Sequence, residues 1–242
     1  MNKIHALTFT QGEIFGFQFH LDTFLMSWVV IIFLVVISWL ATRDLKLQPR
    51  GLQSILETVV EFLQNLLREN IGPKGQEAFP FVATLFLFIL FSNLVGLVWP
   101  GVTKSPTEDL NVTLGLAVLV FMSMIYYGIK VQGLKKYLLG FFKPNFLFFP
   151  IHLIDFFVKP ITLAFRLYGN IFAGAVFITI LDLLFKPVIP VVGLILGVFV
   201  GVIQAYLFLM LAMAYIASAM EEGVETEEAH PEPTPALPQR TE

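Results

Sequence analysis

Three predominantly apolar runs, near 25–41, 81–98 and 114–129, mark the first half of the chain, and none contains Lys, Arg, Asp or Glu. Each approaches the roughly 20 apolar residues that carry a helix across about 30 Å of hydrocarbon, so the pattern predicts three membrane spans. Between the first two, Leu52, Ile55, Leu56, Val59, Leu63, Leu66 and Leu67 recur at helical spacing, with Gln53, Glu57, Glu61, Gln64 and Arg68 between them. That alternation predicts an amphipathic helix over 52–68, suited to lying on the membrane or packing against a partner. The second half holds two longer apolar stretches, Pro150 to Phe185 (36 residues) and Val188 to Met220 (33 residues). As helix the first would run about 54 Å. Strong tilt, a kink at Pro160 or a partly interfacial lie reconciles that length with the bilayer, and "KPVIP" at 186–190 supplies the turn. The fold class is therefore an all-α integral membrane protein. It has about five membrane-embedded helices plus the amphipathic one, and ends in a long, strongly tilted helical hairpin.

Composition agrees: 57% of the 242 residues are hydrophobic and 14% charged, with mean hydropathy +0.79, far above what a water-soluble core needs. The net charge of −3 conceals an asymmetry, since residues 221–242 hold seven Glu and one Arg while the rest is mildly basic. That proline-rich acidic tail buries too little apolar surface to order itself, which leaves residues 1–220 as a single membrane domain. Arg43, Lys46, Arg50, Arg68, Lys74, Lys130, Lys135, Lys136 and Lys143 flank spans on one side, against Lys3, Lys104 and Lys186 on the other. The positive-inside rule then places the N-terminus outside and the tail in the cytoplasm. The N-terminus lacks a basic n-region and a small-residue cleavage site, so the first span is expected to be retained.

Several chemistries are excluded. With no cysteine there is no disulfide, thiol catalysis or Cys-held metal, and the four histidines form no metal-spaced pair. No phosphate-binding glycine loop and no Ser/His/Asp order is present, so neither cofactor nor nucleotide chemistry is expected in this chain. The basic residues are flanking charges, with nothing to suggest nucleic-acid binding.

The candidate chemistry lies in "FRLYGN", residues 165–170. Arg166 stands 16 residues beyond Pro150 and 19 before Phe185, too deep to snorkel from an upright helix. Its desolvation costs at least about 2.5–3.5 kcal/mol on insertion scales, which makes it a functional residue by default. At 100° per residue, Asp155, Lys159 and Asn170 return close to the same face, with His152 about 40° away. Asp155 is about 16 Å away along the axis, too far to pair with the arginine. On the next helix Gln204 and Tyr215 also share a face. Arg166 therefore has polar company on its face without a local counterion, and the missing anion is expected from another chain. Glu108 and Asp109 precede the third span, where they can cap its N-terminus; Asp109 can also line an ion entrance. "NVT" at 111–113 abuts an apolar run and is a chance glycosylation match.

"KPITLAFRLYGNIFAG" (159–174) resembles the arginine-bearing segment of subunit a of the rotary F-type ATP synthase. "DLNVTL", "GIKVQGLKKY", "PIHLIDFF" and "GVIQAYLFLMLAMAYI" follow in that family's order, while "FGFQFH" and "SWVV" look most like its cyanobacterial and plastid branch. The resemblance implies a stator in the membrane sector, held by peripheral-stalk b subunits and acting with the soluble ATPase sector. Two offset ion half-channels would meet a rotating c-ring, whose carboxylates pass Arg166 in turn. It further implies that Asn170, Gln204 and Tyr215 line the contact, that Asp109 helps form the outer entrance, and that Asp155 lies along a half-channel. A bacterial inner membrane is the implied location, with the thylakoid as the alternative. Two positions depart from the family pattern: Ala175 stands where many relatives carry Glu, and Gly197 where some carry His. Asp182, about 20° from position 175 on an ideal helix, is a candidate replacement for the lost acid. The competing reading from another class is a self-contained secondary transporter, with Arg166 binding an anionic substrate. The lack of an internal repeat weakens it.

Overall fold

The computed structural model describes residues 11–14, 17–43, 51–98, 105–140, 149–184 and 189–221. It begins with a short antiparallel ribbon, β1 (Gln11–Ile14) and β2 (Phe17–His20), paired from Gln11↔His20 to Ile14↔Phe17. Seven helices follow among the described residues: α1 (Leu21–Thr42), α2 (Leu52–Ile71), α3 (Phe79–Val98), α4 (Leu110–Gln132), α5 (Leu134–Gly140), α6 (Phe149–Leu184) and α7 (Ile189–Glu221). Short 3-10 turns at Pro73–Ala78 and Pro106–Glu108 lead into α3 and α4. Among the described residues, four segments are long and apolar enough to cross a membrane, in α1, in α3 with the turn before it (Gly75–Leu97), in α4 and in α7. The protein is thus an all-α membrane protein with a minor ribbon at its start, and pattern reading overlooked that ribbon together with α5.

The helices outrun the apolar runs because polar residues at each end still take helical backbone. Asp109, in extended conformation, starts α4 four residues before its apolar run. Gly133 ends it at φ 80, with its N–H donating to Ile129 O at 2.8 Å. Gly72 at φ 75 closes α2, three residues beyond the amphipathic run, and Pro73 follows, a pairing that stops a helix because only glycine adopts this backbone cheaply. α6 continues through Pro160 as one 36-residue helix. The 186–190 connection falls largely outside the described residues, as does the acidic tail beyond Glu221.

α7 is the hub. Its Ala205, Phe208, Leu209, Ala212, Met213 and Ile216 are buried at helical spacing and pack among α3, α4 and α6, with α2 beneath. Alanine alternating with bulky residues lets neighbouring helices approach closely. α1 sits at the periphery on α3, through an edge-to-face contact of Phe33 and Phe91 at 5.1 Å. At one end of the bundle Lys130 of α4 pairs with Glu77 before α3, and Gln132 Nε2 donates to Ala219 O of α7 at 2.7 Å. The start of α3 and the ends of α4 and α7 therefore lie together, on the side bearing the basic connections.

Candidate functional site

Much of the outward surface of α6 and α7 is apolar and uncovered: Ile161, Phe165 and Phe172 are exposed on one helix, Phe199, Ile203 and Leu207 on the other. Arg166 is exposed on α6 beside this surface. Its neighbours in helical sequence point two ways, since Leu163 and Leu167 are buried against the bundle while Phe165 and Gly169 are open. Among the described residues no carboxylate lies within ion-pair distance of Arg166.

The two polar lines meet across the hairpin. Asn170 Nδ2 donates to Gln204 Oε1. Eleven residues away on each helix, Lys159 Nζ lies 6.0 Å from the Tyr215 ring centroid. Equal spacing on both sides means that α6 and α7 run antiparallel in constant register, with the two contacts about 16 Å apart. Arg166 lies between them along α6, one turn from Asn170. Asp155 is not available to the arginine: its Oδ2 pairs with Lys159 Nζ at 3.2 Å. His152 is half-buried near the start of α6. Asp182 and Ala175 lie on α6, but their side chains fall outside those described.

Gln204 is nearly inaccessible, 1% exposed, and its Nε2 has no hydrogen-bond partner. A buried donor left unmade costs about 1–3 kcal/mol, so nothing in packing alone explains an amide here. Outward from this pair, at the end opposite the basic connections, lies a cavity of about 210 Å³ between α3, the 106–108 turn, α6 and α7. It is lined by Asn93, Ser105 and Glu108 on one side, and by Ile171, Gly174 and Gly201 among others on the opposite side. Gly201 lies less than one turn from Gln204, and Gly174 about one turn from Asn170.

A buried hydrogen-bonded chain forms the polar wall. Ser105 Oγ donates to Ser92 O at 2.9 Å and lies 2.6 Å from Thr107 Oγ1, which donates to Asn93 Oδ1 at 2.6 Å. Asn93 Nδ2 then donates to Gly201 O at 3.0 Å, tying α3 to α7. Sequence reasoning missed this group. The available signal was Ser92-Asn93, a polar pair inside an otherwise apolar span. Asp109 is buried just beyond, and its Oδ1 accepts from Asn111 N at 2.9 Å and Asn111 Nδ2 at 3.1 Å, capping α4. The adjacent Glu108, not Asp109, is on the cavity wall. No cluster with metal-binding composition occurs among the described residues.

Comparison with known proteins adds two findings. The family described as ATP synthase A chain matches residues 24–217. A protein named ATP synthase subunit a from Moorella thermoacetica is 41% identical over 197 residues, covering 81% of this chain and 89% of its own length.

Proposed function

The chain belongs to the ATP synthase A chain family, and from that premise we propose that it is the stator of the membrane sector in which Arg166 meets each carboxylate of a rotating c-ring between two offset ion half-channels. The observation that carries this is an arginine set beside an uncovered apolar face, with no described carboxylate in reach and its nearest same-face acid already held by Lys159. A guanidinium in lipid demands an anion, and a passing ring supplies one while covering the apolar surface. Opposite charges about 4 Å apart attract by about 4 kcal/mol at an effective dielectric near 20. At 1.36 kcal/mol per unit, that lowers a buried carboxylate's pKa by about three units. The arriving ring carboxylate therefore releases its ion beside Arg166, and the fixed positive charge repels any cation that tries to pass straight between the channels.

In this reading the cavity at Asn93 and Glu108 belongs to the outer half-channel and opens toward Asn170 and Gln204. His152, Asp155 and Tyr215 lie toward the inner one. The side chain of Lys159 draws Asp155 and Tyr215 into one polar group. The nine-to-three distribution of basic residues supports an orientation with the N-terminus outside and the end of α7 in the cytoplasm, and the family reading points to a bacterial inner membrane. Exposed Ile55, Val60 and Phe62 on α2 offer a surface to the b subunits that restrain the stator against the soluble ATPase sector.

The test is Arg166→Ala in the assembled complex in proteoliposomes. ATP-driven ion transport should vanish while the chain still co-purifies with ring and soluble sector. Coupled transport at wild-type level would refute the proposal.

A further inference from the structure

We infer that Glu108 is the ion-binding carboxylate of the outer half-channel, taking the ion from water in the cavity and passing it toward the Asn170–Gln204 pair. This rests on the stator reading above, and deepens it by naming the group that handles the ion before the ring does.

The argument starts from what lines the cavity. Among the described residues, the wall built by α6 and α7 consists of Ile171, Gly174, Phe177, Leu196, Gly197, Val200 and Gly201 and offers no ionisable side chain. A side chain added to α7 at its closest approach would press on α3: a Cβ on Gly197 would stand 2.5 Å from Leu97 Cδ2, whose side-chain tip would have to swing aside, and one on Gly201 3.1 Å from Asn93 Cβ. Of the described lining residues, Glu108 alone can carry charge.

Its placement is built into the fold. The 106–108 turn is fastened under α3 by the Ser92–Ser105–Thr107–Asn93 chain. The Glu108 N–H donates to Ser105 O at 3.0 Å, so the backbone that presents the carboxylate is tied to the same polar wall. The bland alternative is that Glu108 merely favours the positive end of the α4 dipole. Asp109 already fills that role, accepting from the Asn111 N–H as the cap, whereas Glu108 lines the cavity.

The inner end of the cavity also points to a cargo. Gln204 places a buried amide with an unpartnered Nε2 less than one turn from Gly201. Water or an ion's hydration shell drawn inward from Glu108 would supply the acceptor that this amide lacks. The step is simple in balance: the carboxylate binds one monovalent cation, proton or sodium, from the outer water and releases the same cation inward. No covalent bond to carbon changes and no co-reactant is consumed.

The experiment uses the assembled membrane sector in proteoliposomes, with the soluble sector removed and ion flow driven by a potassium diffusion potential. Glu108→Gln should cut flow about tenfold or more, the scale at which a relay group acts, while ring and stalk co-purify as in wild type. Glu108→Asp should restore most of the flow with a shifted pH or sodium dependence; which of the two shifts identifies the ion. The chain has no cysteine, so Glu108→Cys supplies a unique thiol. A small water-soluble methanethiosulfonate added from the outer side should label it. Wild-type flow in Glu108→Gln, or an unlabelled thiol in assembled complex, overturns the inference. If Glu108→Gln fails to assemble, an unchanged pH and sodium profile in Glu108→Asp overturns it instead. Arg166→Ala run in parallel separates the two levels: coupling lost there but flow intact in Glu108→Gln removes only the role of Glu108, whereas coupling retained in Arg166→Ala removes the stator reading itself.

Discussion

Replacing Gly96 with alanine tests whether the polar wall depends on close approach of α3 to the turn that follows it. In an open helix that change stabilises by up to about 1 kcal/mol. Here a Cβ would stand 2.8 Å from Ser105 Cβ, 2.9 Å from Ser105 N and 3.0 Å from Ser105 Cα. Carbon atoms pack at about 3.5–4.0 Å, so the Ser105 backbone must retreat by about 0.7 Å. That movement stretches the 2.9 Å bond from Ser105 Oγ to Ser92 O to about 3.6 Å, past the useful limit, and pulls on the Thr107 contact as well. Two buried hydrogen bonds at about 1 kcal/mol each and about 2 kcal/mol of overpacking, offset by the helix gain, leave a net loss of about 3 kcal/mol. On the scale of 2–4 °C per kcal/mol for chains of this size, the midpoint falls by roughly 6–12 °C. Gly115→Ala is the matched control, because nothing lies within 4 Å of a Cβ there, and it should be neutral or slightly stabilising. The assay is thermal unfolding of the purified protein in detergent, with both variants side by side. If Gly96→Ala melts at or above the temperature of Gly115→Ala, the packing argument is wrong.

Two further outcomes follow from the site. Gln204→Leu removes a buried amide whose Nε2 is unsatisfied, so the melting temperature should hold or rise. ATP-driven transport should nevertheless fall about tenfold, as befits a group that acts on the ion; transport at the wild-type rate would show that the amide is only a helix-packing contact. Asp109→Ala deletes the α4 cap and should cost about 1 kcal/mol, with Asp109→Asn within a few tenths of wild type. Equal melting of the Ala and wild-type proteins would show that the bond to Asn111 N contributes nothing.

Helix spacing made the hairpin's chemistry readable because both polar lines are periodic within single helices. Asn170 and Lys159 on α6, and Gln204 and Tyr215 on α7, repeat at 11 residues, so any antiparallel docking in constant register brings both pairs together. That no described carboxylate pairs with Arg166 was equally legible for its own helix, since it depended only on distances along α6. Asp155 was placed beyond the arginine's reach by the same reasoning, but its pairing with Lys159 was not anticipated. That pair is local, four residues apart, and spacing alone suffices to find it.

The outer cavity is a different case. Ser105 and Thr107 reach Ser92 and Asn93 across a connection of 13 to 14 residues, and no periodicity links a turn to the helix it folds under. Choosing between Glu108 and Asp109 was beyond pattern for the same reason: adjacent acids differ only in which way the backbone turns them. Sequence by itself determined what periodicity and apolarity dictate, namely where the long apolar helices lie and which polar positions share one face of α6 and one face of α7. Only the tertiary structure decided which carboxylate caps a helix and which faces the cavity, because that choice is made by contacts between segments that the chain brings together only on folding.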